Sequence, residues 1–389
     1  MYEVQLKERI AGYSVSVAKR GEKVQVQVSG ATSTEDGDLH LKYLNGFPQT
    51  ILSMLEEVLQ PSDIKSMVVL ISKDLKAKVY INEVEVYGQA FVKAKNIKKG
   101  QAVRKDDISG FERIQLSGIE FSEDQAYFCI LSLGWDKAYI FDFSPLDEQL
   151  DRKIEYNVEK LLGSYFSYLS FGSIHKISAS DWGGMLRQNW FPFYALKFST
   201  VESIISYARA EWNIDELINK IESDAIFYIE ERKPIWGSDE NLSPFICFLD
   251  SALSRHKADD FVSSSSIIYP KIEALIRKDF IADNPEKEGR QQRLLVEHIT
   301  EKTLRSISAL TTFIPDKFKR YLEECYFKDF SVTDDNTVSR HSVAHGASTI
   351  DMFDKKASLL GLLVFSQIAE YIQQSSNKSI QPTADALTD

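Results

Sequence analysis

The sequence predicts an α+β fold: a β-rich N-terminal domain, then a helical connecting region, then a C-terminal all-α bundle. Three observations carry that expectation. Valines alternate with polar residues over "YSVSVAKRGEKVQVQVSG", which is the period of a half-covered strand. From about Asp147 the apolar spacing changes to that of helices. A chain of 389 residues is also too long for one ordinary core. The expected divisions are 1–146 (β-rich domain), 147–240 (helical and aromatic connecting region), 241–374 (helical bundle) and 375–389 (a polar tail, expected to be disordered).

Taken in chain order, Val15 and Val17 face Val24, Val26 and Val28 across a Lys-Arg-Gly-Glu turn, which predicts a hairpin. "FPQTILSMLEEVLQ" predicts one short helix, and "MVVLIS", "AKVYINEVEVYG" and "QAFVKAK" predict strands. "AKNIKKGQAVRKDDI" holds a glycine turn within a β pattern and is expected to be a surface hairpin. "AYFCILSLGWDKAYIFDFSPL" predicts two apolar strands about Gly-Trp. In the connecting region, Trp182, Trp190, Phe191 and Phe193 could stack on bases, but a core or a seam explains such a cluster better. "KPIWGSDENLSP" is rich in Pro, Gly and Asn, and predicts a boundary.

The bundle begins with two helices in "SPFICFLDSALSRHKADDFVSSSSIIYPKIEALIRKDF". The second of these has Ile268, Ile272, Leu275, Ile276 and Phe280 on one stripe. A helix over "RQQRLLVEHITEKTLRSISAL" follows, and then one opened by Pro315 in its first turn. The last helix, "DMFDKKASLLGLLVFSQIAEYIQQ", has Asp351 as its expected cap. It is apolar over most of its circumference, so it is either central to the bundle or buried in a partner.

A net charge of −11 argues against a protein that grips long duplex DNA over its whole surface, but leaves room for a local anion site. No apolar run approaches the roughly 20 residues that span a bilayer, and the N-terminus lacks a basic-then-apolar export pattern. A cytoplasmic location away from membranes is expected. Cys129, Cys247 and Cys325 are odd in number and far apart, with no zinc spacing, so buried reduced thiols are expected.

The chemistry concentrates in "SRHSVAHG", Ser339 to Gly346, which holds two of the chain's 6 histidines. On a helical turn His341 and His345 share a face, Arg340 lies about 100° from His341, and Gly346 suits a left-handed stop. Three readings fit these residue types. A zinc ion can use His at i and i+4, although Arg340 would repel it and no Glu follows the first His as metalloproteases require. Alternatively the histidines could be satisfied structurally by the Asp-rich loop before them. Third, an imidazole could take a 2′-OH proton while an acid protonates the leaving 5′-oxygen and an arginine neutralises charge on phosphorus.

Arg340-His341-x-x-x-His345 also resembles the R-x(4–6)-H signature of HEPN domains. "SRHSVAHG" before a long apolar helix is similar to the variant found in bacterial HEPN proteins of defence and toxin systems. "IYPKIEALIRKDF", with Pro270, Glu273 and Arg277, resembles their earlier bundle helix. The resemblance spans roughly Asn241 to Gln374. It implies a metal-independent endoribonuclease, needing no cofactor, that cuts RNA as a toxin or antiphage effector. His345 would be the acid or base, Arg340 the phosphate-binding cation, and His341 the orienting group, with Glu273, Arg277 and Gly346 in support. Glu273 and Arg277, four apart, are also read as an intrahelical ion pair. "LSRHKADD" repeats Ser-Arg-His but has Asp260 where the second histidine belongs, so Arg255 and His256 are expected to be a decoy. Because HEPN sites form where two domains pair, a homodimer through the C-terminal bundle is implied. The apolar circumference of the last helix points the same way, and a trigger or antitoxin is a further expected partner. The alternative is a non-catalytic HEPN module that binds nucleotide or RNA and dimerises. A β-rich region acting as the active part is a third possibility, which no motif in residues 1–150 supports.

Overall fold

The computed structural model describes residues 1–7, 13–27, 52–53, 55, 60–93, 96–122, 124–133, 136–142, 157–306, 311–327 and 350–376. In chain order the strands are β1 (Tyr2–Gln5), β2 (Tyr13–Ser14), β3 (Val26–Gln27), β4 (Ser66–Ile71), β5 (Lys76–Ile81), β6 (Val86–Val92), β7 (Ile108–Leu116), β8 (Ala126–Leu133) and β9 (Asp136–Asp142). The helices are α1 (Val158–Ser170), α2 (Gly172–His175), α3 (Ala179–Arg187), α4 (Phe198–Arg209), α5 (Ile218–Gly237), α6 (Ser243–Lys257), α7 (Phe261–Asp283), α8 (Gln292–Ser306), α9 (Pro315–Tyr321) and α10 (Lys355–Ser376). Strands followed by helices make the chain α+β, as expected.

Contacts divide the chain into two units: residues 1–89 with 111–170, and residues 90–110 with 171–389. This partition differs from the sequence boundaries in two ways. Helix α1 groups with the strands, and residues 171–240 group with 241–389. The segment 90–110, which includes the stretch 94–108 expected as a surface hairpin, groups with the helices, and its residues 98–106 are exposed. "KPIWGSDENLSP" breaks a helix rather than a domain. Pro234 lies inside α5, Trp236 is buried, and α6 starts at Ser243 and packs on α5.

In the first unit five strands run in the order β1-β5-β4-β8-β9. All six residues of β4 are buried, because the sheet is covered on both faces. Met67, Val69 and Ile71 point to one face with Phe128 and Ile130. Val68 and Leu70 point to the other, where Tyr127, Cys129 and Leu131 meet Val158, Leu162 and Phe166 of α1. Strand β5 alternates exposed Lys76 and Lys78 with buried Ala77, Val79 and Ile81, the period-2 pattern of its sequence. Leu133 opposite Asp136 leaves Gly134 and Trp135, outside the described residues, to join β8 to β9.

The hairpin of β2 and β3 forms at the expected place, with Tyr13 opposite Gln27. Glu22 donates its N–H to the Lys19 carbonyl, and Gly21 takes φ +91°, which a residue with a Cβ rarely adopts. Of "FPQTILSMLEEVLQ", the described Leu52 and Ser53 are helical, Leu55 is in a turn and Gln60 is irregular, and the remainder lies outside the described residues. The tail beyond 376 lies outside them too.

The second unit is organised around α10, whose described side chains from Ala357 to Gln373 are all buried. Helices α5, α6, α7 and α8 pack around it. Of the two sequence readings of this helix, the central one holds. The chain itself covers Leu359, Leu360, Leu362, Leu363, Val364 and Phe365, so their circumference gives no reason for a partner. The cap is Asp354 rather than Asp351. Asp351 sits in the preceding 3-10 turn, Ile350–Met352, whereas the Asp354 carboxylate accepts the Ala357 N–H at 2.7 Å. The expected stripe on α7 is present, with Ile268, Ile272, Leu275, Ile276 and Phe280 all buried. Trp182, Trp190, Phe191 and Phe193 are core residues. Phe191 packs on Phe318 and Tyr321 of α9, and the Trp190 indole donates to Asp215 at 2.7 Å. Cys129 and Cys325 are buried, but Cys247, expected inside, is exposed on α6. Among the described residues no helix is long and apolar enough to cross a membrane.

Helices α7 and α10 approach closely at Gly361. A Cβ there would stand 2.6 Å from Ile268 Cγ2 and 2.8 Å from Tyr269 Cε2. Gly361→Ala should therefore destabilise the protein by about 1–3 kcal/mol through overpacking, despite a gain of roughly 1 kcal/mol in helix propensity. Urea unfolding of the variant beside the wild type checks this, and an increase in stability would show that the two helices stand further apart.

Candidate functional site

Arg340, His341, His345 and Gly346 lie within 328–349, outside the described residues. What the structure fixes is where the chain leaves for that segment and where it returns. After α9 the chain makes a single π-helical turn, Leu322–Tyr326, a form found often beside functional sites. The turn ends on α7: the Tyr326 ring stacks on Tyr269 with centroids 5.3 Å apart, and the Tyr326 hydroxyl donates to the Tyr269 carbonyl at 2.8 Å. On the return, the Tyr269 hydroxyl donates to the Ala357 carbonyl in the first turn of α10, at 3.1 Å. One buried tyrosine thus meets Tyr326, before the segment that carries the motif, and Ala357, after it.

Tyr269, Glu273 and Arg277 follow one another at intervals of four along α7, and so share a face. Of the expected supporting residues, Glu273 and Arg277 form the intrahelical ion pair that their spacing allows. The Glu273 side chain is nearly buried and also takes the Gln292 amide at 3.4 Å. Arg277 Nε donates to the Gly289 carbonyl at 3.1 Å, and Gly289 holds φ +60° to bring that carbonyl in. The pair therefore ties α7 to the loop before α8. The Arg277 guanidinium remains about a third exposed.

The second Ser-Arg-His is structural. The His256 ring is buried, with Nδ1 at 2.7 Å from Ser358 Oγ and Nε2 at 3.1 Å from Glu222 Oε1. Burial lowers its pKa, although Glu222 opposes the shift. Carboxylate, imidazole and serine hydroxyl in series resemble the order of a hydrolase triad. Ser358, however, is fully buried and hydrogen-bonded to Ser264 Oγ at 2.7 Å, so no substrate carbonyl can reach it in this conformation. The set joins α5, α6, α7 and α10. Asp260, which replaces the second histidine, caps α7 by accepting the Ser263 N–H at 3.1 Å.

Among the described residues one group has the donors for a metal: Asp279, Asp283 and His298. The Lys302 ammonium already lies 2.9 Å from Asp279 and 2.8 Å from Asp283, and His298 Nε2 is 2.9 Å from Asp279. Burial would raise the Asp279 pKa, but the His298 hydrogen bond and the Lys302 charge outweigh it and hold the carboxyl below its usual range. The group reads as an ion-pair network between α7 and α8 with its own cation.

Two residues that position the segment escaped the sequence reading. Asp354 lies in an "FDKK" context that marks a cap as plainly as Asp351 does. Tyr269 carries no signal beyond its place beside Pro270, because its role depends on what meets it from Tyr326 and Ala357. Comparison with protein-family models, curated proteins and solved structures found no match.

Proposed function

We propose that the chain is a metal-independent endoribonuclease of the HEPN type, acting as a toxin or antiphage effector on RNA. The observation that carries this reading is Arg340-His341-x-x-x-His345-Gly346 standing directly before α10, the helix around which the bundle is built. Two further features support it. Tyr326, before the segment holding the motif, and Ala357, after it, both meet Tyr269, on the same face of α7 as Glu273 and Arg277. Helix α7, which holds Pro270, Glu273 and Arg277, precedes the motif in the chain, and α10 follows it.

In the proposed reaction the 2′-hydroxyl gives its proton to an imidazole and its oxygen attacks the adjacent phosphorus. The P–O5′ bond breaks, and the departing oxygen is protonated by the acid partner. Arg340 neutralises charge on the non-bridging oxygens through its planar fork, and His345 carries the proton. His341 orients the group. Two chains would each bring one motif to a composite site, and this pairing rests on the resemblance alone, since the α10 surface is already covered.

The test is cleavage of RNA by the purified chain in excess chelator. RNA should be cut to fragments ending in 2′,3′-cyclic phosphate, while DNA, which lacks the nucleophile, stays intact. Activity abolished by chelator and restored by magnesium would overturn the mechanism. RNA binding without cutting would move the reading to a non-catalytic HEPN module.

A further inference from the structure

Residues 90–110 and the helices of the second unit line an open cleft of about 200 Å³. At its base lies Lys93, 8% exposed, with Nζ donating to the Leu196 carbonyl at 2.5 Å and standing 5.2 Å from the centre of the Tyr194 ring. An ammonium has three N–H donors. Among the described residues only the Leu196 carbonyl takes one, and no carboxylate is within ion-pair distance. A buried charge left in this state is costly unless something else meets it.

The carboxylates around the cleft have other work. Asp106 Oδ1 accepts the Phe198 N–H at 2.7 Å, and Asp224 Oδ2 accepts the Lys197 N–H at 3.2 Å and the Thr200 hydroxyl at 2.6 Å. Both therefore cap the start of α4. Asp107 is buried and turned back on the Arg104 N–H at 2.9 Å. The cations face outward instead: Arg104 is exposed at the rim, and the Lys197 side chain is half exposed. Phe227, a large aromatic 51% exposed on α5, forms a wall of the same cleft.

The geometry points to a binding site for a nucleoside monophosphate, with its phosphate between Lys93 and Arg104 and its base over the Phe227 ring. An acceptor oxygen would fill the spare Lys93 donors, and a planar ring would stack on Phe227 in place of the Lys197 ammonium, which stands 6.0 Å from the ring centre. Burial pulls the Lys93 pKa down to about 8, against Asp106, Asp224 and Glu370, which push it up. The tyrosine rings of Tyr194 and Tyr228 also face this region. Lys93 thus carries its charge below about pH 8 and loses it above, so phosphate binding should weaken as the pH rises from about 7 to about 9. The cleft shares no residue with the motif, so it stands or falls separately from the nuclease reading.

Calorimetric titration of the full chain with AMP, GMP, CMP and UMP, beside inorganic phosphate and adenosine, is the test. At least one nucleotide should bind saturably and more tightly than either phosphate or adenosine. Lys93→Met and the rim variant Arg104→Gln should each weaken it on the order of tenfold, and Phe227→Ala by about tenfold without changing the response to phosphate. If Lys93→Met fails to fold, the exposed Arg104→Gln and Phe227→Ala variants decide. No saturable binding by any nucleotide, or binding indifferent to both Arg104→Gln and Phe227→Ala, would overturn the site. So would phosphate binding as tightly as the nucleotides.

Discussion

His345→Ala is expected to lower RNA cleavage by about 10²–10⁴-fold, the usual loss when a general acid or base is removed. The reasoning is chemical. Histidine is the side chain whose ordinary pKa suits proton transfer near neutrality, and an alanine can neither take nor give the proton. Arg340→Lys keeps the positive charge but gives up the planar, bidentate grip on two phosphate oxygens, so a large loss is expected despite the conservative exchange. His341→Asn should be the mildest of the three, because an amide can still hydrogen-bond where the imidazole orients the group. Circular dichroism of each variant separates a lost activity from a lost fold. Mixing Arg340→Ala chains with His345→Ala chains asks whether two motifs combine in one site, and a strictly monomeric protein that still cuts RNA would refute the composite arrangement. RNA cutting by a folded His345→Ala chain at the wild-type rate would end the nuclease reading.

Local pattern was legible wherever a residue's environment repeats along its own element. Lys76 to Ile81 alternate because one side of β5 faces the core, and the alternation survives into the structure unchanged. The turn at Lys19–Glu22 needed a residue at positive φ, and the glycine there announced it. The stripe from Ile268 to Phe280 predicted both the helix and its buried face. What failed was anything that depends on partners distant in sequence. In "QAFVKAK" nothing marks the lysine as the inward residue, yet Val92 is exposed and Lys93 is buried, because residues 90–110 pack with helices about a hundred positions away. The apolar girth of α10 was equally consistent with a partner or a central position, and only the arrangement of α5 to α8 decides between them. The aromatic run at 190–194 was expected in a core and lies in one, but its partners Phe313, Phe318 and Tyr321 could not be read from its own stretch. The chemistry proposed for Arg340, His341 and His345 rests on residue type and short spacing, both present in the sequence, while the three residues lie outside the described ones.

Arg232→Met is expected to destabilise the helical unit by about 3–5 kcal/mol, the largest stability effect of any single change considered. Arg232 on α5 is buried against Glu370 of α10, with Nε to Oε1 at 2.6 Å and Nη2 to Oε2 at 3.0 Å, and it also donates to the Gln373 amide oxygen. The Glu370 side chain is 1% exposed and accepts the Trp236 indole N–H at 3.0 Å as well. Burial disfavours the Arg232 charge, but Glu370 outweighs it and raises its pKa above the usual value. Removing the arginine leaves a carboxylate in the middle of the bundle with neither water nor a counter-charge, and that isolation is the source of the loss. Arg232→Met with Glu370→Gln should recover most of it. The second change removes the stranded charge and still offers Trp236 an acceptor, avoiding the roughly 1–3 kcal/mol of an orphaned indole N–H. Urea unfolding followed by tryptophan fluorescence reports this part of the chain, since Trp182, Trp190, Trp212 and Trp236 all lie in the second unit. A single variant within about 1 kcal/mol of the wild type, or a double variant less stable than the single, would show that the pair is not closed off from water as the packing of α5 on α10 requires.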